Sequence, residues 1–419
     1  MKIYPSRTFY GEFSIPGDKS ITHRAILFNG AAEGRAVITN ALLGEDCLSS
    51  AACMRALGAD IRIEGDRIVV TGAPAFRDAD CDCGNSGTTM RLLMGLTAGK
   101  GVQVRLTGDS SLSKRPMERV AAPLRQMGAE IFTTNGTAPI TIGKAKLIGR
   151  RVDTVVASAQ VKSALLLAAL GAEGETIVRE PMRSRDHTER MLAAMGADIR
   201  VDGRDVSIKG GKLRCRDVEV PGDISSAAYF MALGALRGET LCKNVGVNPT
   251  RTGILRVFDR MNVSYALENE RTVCGEPVAD IRVRKSELRA VRLTREIMPT
   301  LIDELPVIAV MCAFARGESV IEGAEELKVK ESDRIQTTSD MINAAGGDCT
   351  PMPDGFIVRG KAELSGGTIR SCGDHRIAMS GAVALMASNE GGEIEDAQCV
   401  NISFPRFYTM LGQGGEKKC

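Results

Sequence analysis

The chain has 419 residues, of which 43% are hydrophobic and 25% are charged, and its formal net charge is +2. This length suggests two domains of ordinary soluble composition, and the small net charge excludes a global basic field for a polyanion. Aromatic residues make up 4% and tryptophan is absent, which leaves few stacking surfaces for single-stranded nucleic acid. Any anionic ligand must therefore be held by local charge.

The sequence indicates neither a membrane span nor a metal site. The longest apolar runs, SALLLAALGA and PVIAVMCAFA, cover about ten residues, whereas a membrane helix needs roughly twenty. The first residues, MKIYPSRTFYG, lack the apolar core of a secretory signal. The twelve cysteines form no C-x-x-C pair and are accompanied by three histidines, which argues against zinc. We expect a cytoplasmic protein with reduced cysteines.

An apolar helix followed by a β-rich strip recurs along the chain. Clear copies begin at Met54, Leu124 and Met191, and weaker ones at Val257 and Met341. The strip DIRIEGDRIVV alternates about a turn at Gly65-Asp66, which predicts a hairpin. Left-handed residues should release the chain from each helix: Gly58, Gly128, Gly196, Asn262 and Gly346.

Between these copies, a helix that stops at glycine and leads into a strand occurs six times, as in GAEGETIVRE and FARGESVIEG. Six units of about 70 residues fit two similar domains of three units better than a solenoid. The helices VKSALLLAALGA, SSAAYFMALGAL and LPVIAVMCAFA are apolar on nearly all faces and should be buried. We expect an α/β fold with helices inside, sheets partly outside and charged loops gathered at one end.

The first charged loop is PGDKSITHRA. Asp18 is a candidate cap for a helix on which Ser20 and Arg24 share a face, next to Lys19. A helix N-terminus beside two cations is an anion site. A capped surface helix explains this stretch equally well.

The next loops are equally open to a purely structural explanation. In CGNSGTTMR, Gly87 either lets a ligand approach the backbone or serves a tight turn. In SLSKRPMERV, Arg115 precedes Pro116, which suits a first helical turn, although a lone arginine there is more often a surface residue. In VASAQVKSALLL, a cap explains Ser158, but Gln160 needs another partner on so apolar a helix.

The later loops add acids and further cations. In IDELPVIAV, Asp303 is either a helix cap or a base with a raised pKa. KVKESDRI places Lys330 and Arg334 four residues apart, with Glu331 between them, although mixed-charge runs usually coat helices. Seven cations lie at such strand-to-helix turns: Lys19, Arg24, Arg115, Arg185, Lys330, Arg334 and Arg376. In a near-neutral protein they suit a small, multiply anionic ligand pair.

Eight motifs, in this order, together resemble the signatures of the 5-enolpyruvylshikimate-3-phosphate synthase family, and of its bacterial class II branch: GDKSITHRA, GNSGTTMR, SKRPM, SAQVKSALLLA, SRDHTERM, IDELPVIAV, KESDRI and DHRIAM. The resemblance implies the enolpyruvyl transferase fold, with two inside-out α/β domains of three units each. It implies a discontinuous domain of residues 1–16 and 239–419, a second domain of residues 17–238, and an active site in the cleft between them.

The reaction that the resemblance implies transfers the carboxyvinyl group of phosphoenolpyruvate to the 5-hydroxyl of shikimate 3-phosphate and releases phosphate. It proceeds by addition and elimination and leads to chorismate and the aromatic amino acids. The resemblance implies no metal and no organic cofactor. It also implies a cytoplasmic monomer that acts on small molecules, without nucleic acid or membrane.

The resemblance assigns roles to residues that match the family's motifs. The shikimate 3-phosphate contacts would be Lys19, Ser20, Arg24, Ser158, Ala159, Gln160, Arg185, Asp303 and Lys330. The phosphoenolpyruvate contacts would be Lys19, Gly87, Arg115, Gln160, Arg334 and Arg376. Asp303 would take the 5-hydroxyl proton, Glu331 would protonate the methylene carbon, and Lys19 would assist catalysis. Ile402, in NISFPRF, stands where some members carry a lysine, and Arg406 is a candidate substitute.

Two other functions remain open on the sequence alone. A related family transfers the carboxyvinyl group to UDP-N-acetylglucosamine, but its P-G-G-C loop has no counterpart in SLSKRPM. A non-catalytic repeat scaffold would keep the glycines and the apolar helices but would need neither Asp303 nor Glu331. A thermal shift with shikimate 3-phosphate would separate a scaffold from an enzyme.

Overall fold

The structure is a computed structural model that describes residues 1–414. Within this range the chain forms 23 strands and twelve α-helices. The strands are β1 (Lys2–Ile3), β2 (Phe9–Ser14), β3 (Arg35–Thr39), β4 (Asp60–Glu64), β5 (Arg67–Thr71), β6 (Ala79–Asp82), β7 (Val104–Thr107), β8 (Ile131–Thr134), β9 (Thr137–Ile142), β10 (Arg151–Asp153), β11 (Glu175–Arg179), β12 (Ile199–Asp202), β13 (Asp205–Lys209), β14 (Val218–Glu219), β15 (Gly238–Gly246), β16 (Ser264–Val273), β17 (Glu276–Arg284), β18 (Arg292–Leu293), β19 (Glu318–Ile321), β20 (Cys349–Met352), β21 (Gly355–Arg359), β22 (Gly367–Arg370) and β23 (Gly392–Glu395).

The helices are α1 (Lys19–Ala31), α2 (Glu45–Leu57), α3 (Gly87–Lys100), α4 (Glu118–Gln126), α5 (Ala159–Ala169), α6 (His187–Ala194), α7 (Ile224–Arg237), α8 (Gly253–Met261), α9 (Leu305–Ala313), α10 (Arg334–Ala344), α11 (His375–Met386) and α12 (Phe407–Leu411). Short 3₁₀ helices cover Leu112–Lys114, Met298–Thr300, Glu325–Val329 and Ala397–Ile402. None of the helices in residues 1–414 has the length and apolar character that crossing a membrane requires.

The strands form six sheets, in the orders β14-β3-β5-β4, β6-β7-β9-β8, β10-β11-β13-β12, β16-β17-β15-β2, β18-β19-β21-β20 and β1-β23-β22. Each sheet contains one parallel pair and at least one antiparallel pair; for example, β10 runs parallel to β11, and β11 runs antiparallel to β13. The six predicted glycine-to-strand transitions lead into β3, β7, β11, β15, β19 and β23, one in each sheet. The predicted six-unit α/β fold with mixed sheets is confirmed.

The predicted helix ends are also confirmed. Gly58 and Asn262 follow α2 and α8 in the left-handed conformation, with φ of 116° and 64°. Gly128, Gly196 and Gly346 also have positive φ. The predicted hairpin forms between β4 and β5, which are separated by Gly65 and Asp66.

The described chain divides into two compact units. The first contains Met1–Pro16, Pro221–Thr272 and the described residues from Pro277 onwards, and the second contains Gly17–Val220 and Val273–Glu276. The chain returns from the second unit to the first between residues 220 and 221, whereas the sequence analysis placed this boundary between residues 238 and 239. The reason is that α7 belongs to the hydrophobic core of the first unit.

Each unit buries its own inner helices, which are α7, α9 and α11 in the first unit and α1, α3 and α5 in the second. Every residue of α9 is buried, as the apolar run predicted. Helices α3 and α5 approach so closely that a Cβ on Gly95 would lie 1.9 Å from the carbonyl oxygen of Ala164. The remaining six α-helices of the described chain bury one part of their surface and expose the rest.

Candidate active site

One group of predicted residues lies at the start of helix α1, in the second unit. The Oδ1 atom of Asp18 accepts a hydrogen bond of 2.8 Å from the backbone nitrogen of Ile21, so Asp18 caps the helix as predicted. The Nζ atom of Lys19 forms an ion pair with Asp46. Ser20 and Arg24 follow on the same helix, one turn apart.

Arg24 is buried, and within residues 1–414 its three hydrogen bonds go to neutral oxygen atoms. Its Nε donates to Oγ1 of Thr188 at 2.7 Å, its Nη1 to the carbonyl oxygen of Ser20 at 3.0 Å, and its Nη2 to Oγ of Ser163 at 2.9 Å. Burial lowers the pKa of Arg24 to about 10, against the opposite effect of Glu189. Neutral partners leave the charge of the guanidinium available to an anion. We call Lys19, Ser20, Arg24, Ser163 and Thr188 the Arg24 cluster.

Gly87, at the start of α3, lies against two arginines. A Cβ at this position would be 3.1 Å from Nη1 of Arg91 and 3.4 Å from Nη1 of Arg115. Arg91 donates from Nη1 to Oε1 of Gln160 at 2.6 Å, and Gln160 donates from Nε2 to Oγ1 of Thr88 at 2.9 Å. The structure therefore brings together three predicted residues, Gly87, Arg115 and Gln160, around Arg91. We call these four residues the Gly87 cluster.

One expectation about this cluster is wrong, and one of its residues was not predicted. Arg115 and Pro116 do not lie in a first helical turn, because they follow the 3₁₀ helix Leu112–Lys114 and α4 begins only at Glu118. The Nη2 atom of Arg115 instead donates to Oδ1 of Asn85 at 2.7 Å. Arg91 was missed, although it ends the motif GNSGTTMR and stands one helical turn after Gly87.

The other predicted residues of the second unit lie at the starts of α5 and α6. Ser158 occupies the N-cap position of α5, but within the described chain its side chain forms no capping hydrogen bond. Ala159 is the first residue of this helix. Arg185 precedes α6 and is half-buried. Its charge contributes to the lowered pKa of Arg24.

Lys162, also on α5, has a structural role. It is buried, and its Nζ lies 2.9 Å from Oε2 of Glu180 and 2.7 Å from Oε1 of Glu189. Burial raises the pKa of Glu189, against the opposite effect of Lys162. This ion triad gives a polar group on an apolar helix the partners that it requires.

In the first unit, four charged residues lie around Arg334, which begins α10 and is 1% exposed. Its Nε and Nη2 donate to the carboxylate of Asp374 at 2.8 and 3.1 Å, and Nη2 also donates to Oε2 of Glu331 at 2.6 Å. Its Nη1 lies 3.6 Å from Oδ1 of Asp303, to which Nζ of Lys330 donates at 3.2 Å. We call these residues the Arg334 cluster.

The Arg334 cluster has a buried part and an accessible part. Burial lowers the pKa of Arg334, but Asp374 and Glu331 outweigh it, so the net shift is upward. Burial raises the pKa of Asp374, but Arg334 outweighs it, so the net shift is downward. By contrast, the side chains of Asp303, Glu331 and Lys330 are 16%, 20% and 28% exposed. A ligand can therefore reach two carboxylates that one buried arginine holds.

The stretch KVKESDRI differs from the expected helix face. Lys330 precedes α10, which begins at Arg334, so the two cations do not share a helical face. They converge on Asp303 instead. Lys328 and Asp333 are exposed, and Asp333 caps the helix.

Asp303 and its neighbour Glu304 have different surroundings. Glu304 occupies the N-cap position of α9, but within residues 1–414 its side chain does not cap the helix. It is buried and receives a hydrogen bond from Ser225, and the Nη1 atom of Arg251 lies 3.6 Å from its Oε1. The sequence analysis did not identify Arg251, because its loop carries none of the recognised motifs.

Arg376, on α11, is the last predicted cation. It is buried, and its Nη1 donates to the hydroxyl of Tyr229 at 3.4 Å. Burial lowers its pKa, but Tyr229 and Asp303 outweigh it, so the net shift is upward. Arg406 is exposed, and Ile402 ends a 3₁₀ helix.

No group of three or more His, Cys, Asp or Glu residues in the part of the chain that the structure describes is arranged to hold a metal ion. The eleven cysteines of this part are free. The twelfth, Cys419, lies outside the described residues.

Comparisons with known proteins agree over nearly the full length. A family model described as EPSP synthase (3-phosphoshikimate 1-carboxyvinyltransferase) matches residues 3–411. A 3-phosphoshikimate 1-carboxyvinyltransferase from Desulfitobacterium hafniense is 47% identical, over 99% of this chain and 98% of its own. One from Syntrophomonas wolfei is 48% identical, over 96% of each chain.

Solved structures give the same result. EPSP synthase from Acinetobacter baumannii superposes with a TM-score of 0.87 at 43% identity and covers 99% of this chain and 98% of its own. The enolpyruvyl transferase NikO from Streptomyces tendae has a TM-score of 0.80 at 18% identity, over 99% of this chain and 97% of its own. The second likeness shows the fold alone.

Proposed function

Because the chain belongs to the EPSP synthase family, it is a carboxyvinyltransferase of the shikimate pathway, and we propose that the Arg24, Gly87 and Arg334 clusters carry out its reaction. It transfers the carboxyvinyl group of phosphoenolpyruvate to the 5-hydroxyl of shikimate 3-phosphate and releases phosphate. Transfer to UDP-N-acetylglucosamine and a non-catalytic scaffold are not favoured.

The Arg24 cluster binds shikimate 3-phosphate in this proposal. Supporting this role, the buried guanidinium of Arg24 is held by hydroxyl and carbonyl oxygens rather than by a carboxylate. A phosphate brought to it gains charge-assisted hydrogen bonds in a site of low dielectric. The other proposed contacts of this substrate in the second unit are Ser20, Lys19 and Arg185, together with Ser158 and Ala159 at the start of α5.

The Gly87 cluster binds phosphoenolpyruvate in this proposal. Arg91 and Arg115 both approach the Cα of Gly87, and two like charges this close favour an anion beside them. Glycine leaves room for that anion, which a side chain would fill. Gln160, which bonds to Arg91, lies at this cluster and close to Ser158 and Ala159 in the sequence, so it serves both substrates.

Arg334 and Arg376 remain the proposed phosphoenolpyruvate contacts of the first unit, and Lys330 and Asp303 contact shikimate 3-phosphate. Arg334 faces three carboxylates, so an anion can bind it only if one of them gives up its contact. Glu331 is the carboxylate that we expect to give up its contact with Arg334, because it is partly exposed whereas Asp374 is buried.

Two carboxylates divide the proton transfers. The 5-hydroxyl oxygen bonds to C2 of phosphoenolpyruvate, and its proton passes to Asp303. C3 gains a proton from Glu331, which is in its protonated form once the anion has replaced it beside Arg334. Glu331, now ionised, then takes a proton back from C3 as the bond from C2 to the phosphate oxygen breaks; the double bond is restored, and the leaving phosphate takes up the proton held by Asp303. The observation that carries this assignment is that Arg334 holds both carboxylates, each partly exposed.

Phosphate release from the purified protein tests the proposal. Release is expected only when phosphoenolpyruvate and shikimate 3-phosphate are both present, and it should fall at least about 100-fold in Asp303→Asn, the scale of a lost acid–base group. Asp60→Asn, at an exposed carboxylate that pairs with Arg62, is the matched control. Release with UDP-N-acetylglucosamine instead, or an Asp303→Asn variant with normal turnover, would overturn the assignment.

We also propose that the chain acts as a monomer in the cytoplasm. The free cysteines support this compartment, because cytosolic thiols stay reduced. Light scattering behind a sizing column would test the monomer, since a dimer would elute with twice the mass of 44.7 kDa.

A further inference from the structure

A buried arginine that the mechanism above does not use lies in the loop before α8. Arg251 is 3% exposed. Its Nη2 donates to Oδ1 of Asp223 at 3.2 Å and to Oγ of Ser225 at 2.7 Å, and its Nη1 lies 3.6 Å from Oε1 of Glu304. One guanidinium thus contacts two carboxylates from distant parts of the sequence.

These partners begin two of the inner helices. Asp223 is the N-cap residue of α7, and its Oδ1 accepts from the backbone nitrogen of Ser225 at 2.8 Å. Glu304 is the N-cap residue of α9, and Ser225 donates to its carboxylate. Arg251 therefore joins the start of α7 to the start of α9 through a network in which every member is buried.

The network ends one peptide bond from the proposed base. Glu304 follows Asp303 directly in the chain. When the carboxylate of Glu304 is held by Arg251 and Ser225, the backbone between residues 303 and 304 is held as well. This fixes the direction in which the side chain of Asp303 extends from the backbone toward Lys330.

The charge of Arg251 also keeps Glu304 in its buried position. Glu304 is buried, which raises its pKa, and Arg251 is the largest opposing influence. Without Arg251, Glu304 would either take up a proton or move toward solvent, because a buried unpaired carboxylate is costly. Either change would alter the surroundings of Asp303.

We propose that Arg251 is a positioning residue for Asp303, which it orients through Glu304; this rests on the role of Asp303 as the base. A misplacement of about 1 Å can cost 100-fold in rate. Arg251→Gln should therefore lower kcat at least about tenfold, while the KM for phosphoenolpyruvate changes less than about threefold, because the displaced Asp303 is a proposed contact of shikimate 3-phosphate and not of phosphoenolpyruvate.

A matched control lies at the opposite ends of the same helices. Arg237 ends α7, donates to the carbonyl oxygen of Ala387 and lies over the ring of Phe314, which follows α9. Arg237→Gln should lower the thermal stability and leave kcat unchanged. An equal loss of kcat in both variants would mean that Arg251 acts only through stability.

A double-mutant cycle with Asp303→Asn decides between positioning and independent action. Groups that act as a unit give non-additive losses. Adding Arg251→Gln to Asp303→Asn should lower kcat less than about threefold further. Losses that multiply would overturn the role of Arg251 and leave the base intact. Normal kcat in Asp303→Asn alone would overturn the base, and the positioning role with it.

Two milder variants keep the test decisive if Arg251→Gln does not fold. Arg251→Lys keeps the charge but loses the planar fork that spans two carboxylates. Glu304→Gln keeps the shape and removes the charge. Each should lower kcat in the wild-type background and have little further effect in Asp303→Asn, and a multiplied loss in either cycle would refute the proposal.

Discussion

Replacing Glu331 by glutamine removes the proposed acid with little change in shape. The amide oxygen can still accept the hydrogen bond that Arg334 donates at 2.6 Å. Arg334 keeps its two bonds to Asp374 and its contact with Asp303, so the buried charge stays compensated. Because the side chain of Glu331 is partly exposed, the free energy of unfolding should change by no more than about 1 kcal/mol.

The effect on turnover should be much larger than the effect on binding. Loss of a group that donates a proton in the transition state costs about 100-fold or more. That factor corresponds to about 2.7 kcal/mol of activation free energy. Each substrate should bind within about tenfold of the wild-type affinity, because Arg24 and the Gly87 cluster are untouched.

Steady-state phosphate release and calorimetric titration of each substrate measure these two effects separately. Glu322→Gln is the matched control, because Glu322 also accepts from an arginine, Arg292 at 2.8 Å, but outside the clusters. It should turn over normally. A Glu331→Gln variant within about tenfold of wild-type turnover would remove Glu331 from the mechanism.

Three further outcomes follow from the structure. Arg334→Ala should lower the free energy of unfolding by about 3–5 kcal/mol in chemical denaturation, because three carboxylates lose a buried cation. Arg334→Lys should fold, and it should weaken the binding of phosphoenolpyruvate more than the binding of shikimate 3-phosphate. If shikimate 3-phosphate binding were weakened more, Arg334 would be assigned to that substrate instead. Burial lowers the pKa of His23 from 6.5 to about 3, so the unfolded state binds the proton first and stability falls as the pH drops from 6.5 toward 3. His23→Asn should lessen this fall by up to about 1.4 kcal/mol per pH unit, and an unchanged pH profile would refute the burial argument. Gly95→Val should cost about 3 kcal/mol or more, because its side chain meets the backbone of Ala164, and unfolding at the wild-type denaturant concentration would show that the two helices separate easily.

The six-unit fold could be predicted because its signals are local. A helix that ends in a left-handed glycine at Gly58 or in Asn262 is determined by a few neighbouring residues. The buried helix α9 is determined by a run of apolar residues with no polar face. Such signals recur in each unit, so a weak copy is recognised beside a strong one.

The partners within the site could not be predicted, because they join distant segments. The contact between Arg91 and Gln160 spans 69 residues, and that between Arg334 and Asp374 spans 40. Local charge suggested that KVKESDRI coats a helix, whereas Arg334 is buried. Only the packing of several helix starts brings these side chains together, and a pattern within one segment carries no information about it.

The two units place different amounts of negative charge at the starts of their inner helices. The N-cap residues of the inner helices are Asp223, Glu304 and Asp374 in the first unit, and Asp18, Ser86 and Ser158 in the second. Carboxylates at all three positions hold Arg251 and Arg334 in compensated pairs. In the proposed mechanism, Asp303 and Glu331 carry out the proton transfers. Hydroxyls at two positions of the second unit place no negative charge on those positive helix ends, which suits the proposed binding of two anionic substrates. The repeat thus supplies one scaffold, and the choice between carboxylate and hydroxyl at a helix start sets how much negative charge each unit places there.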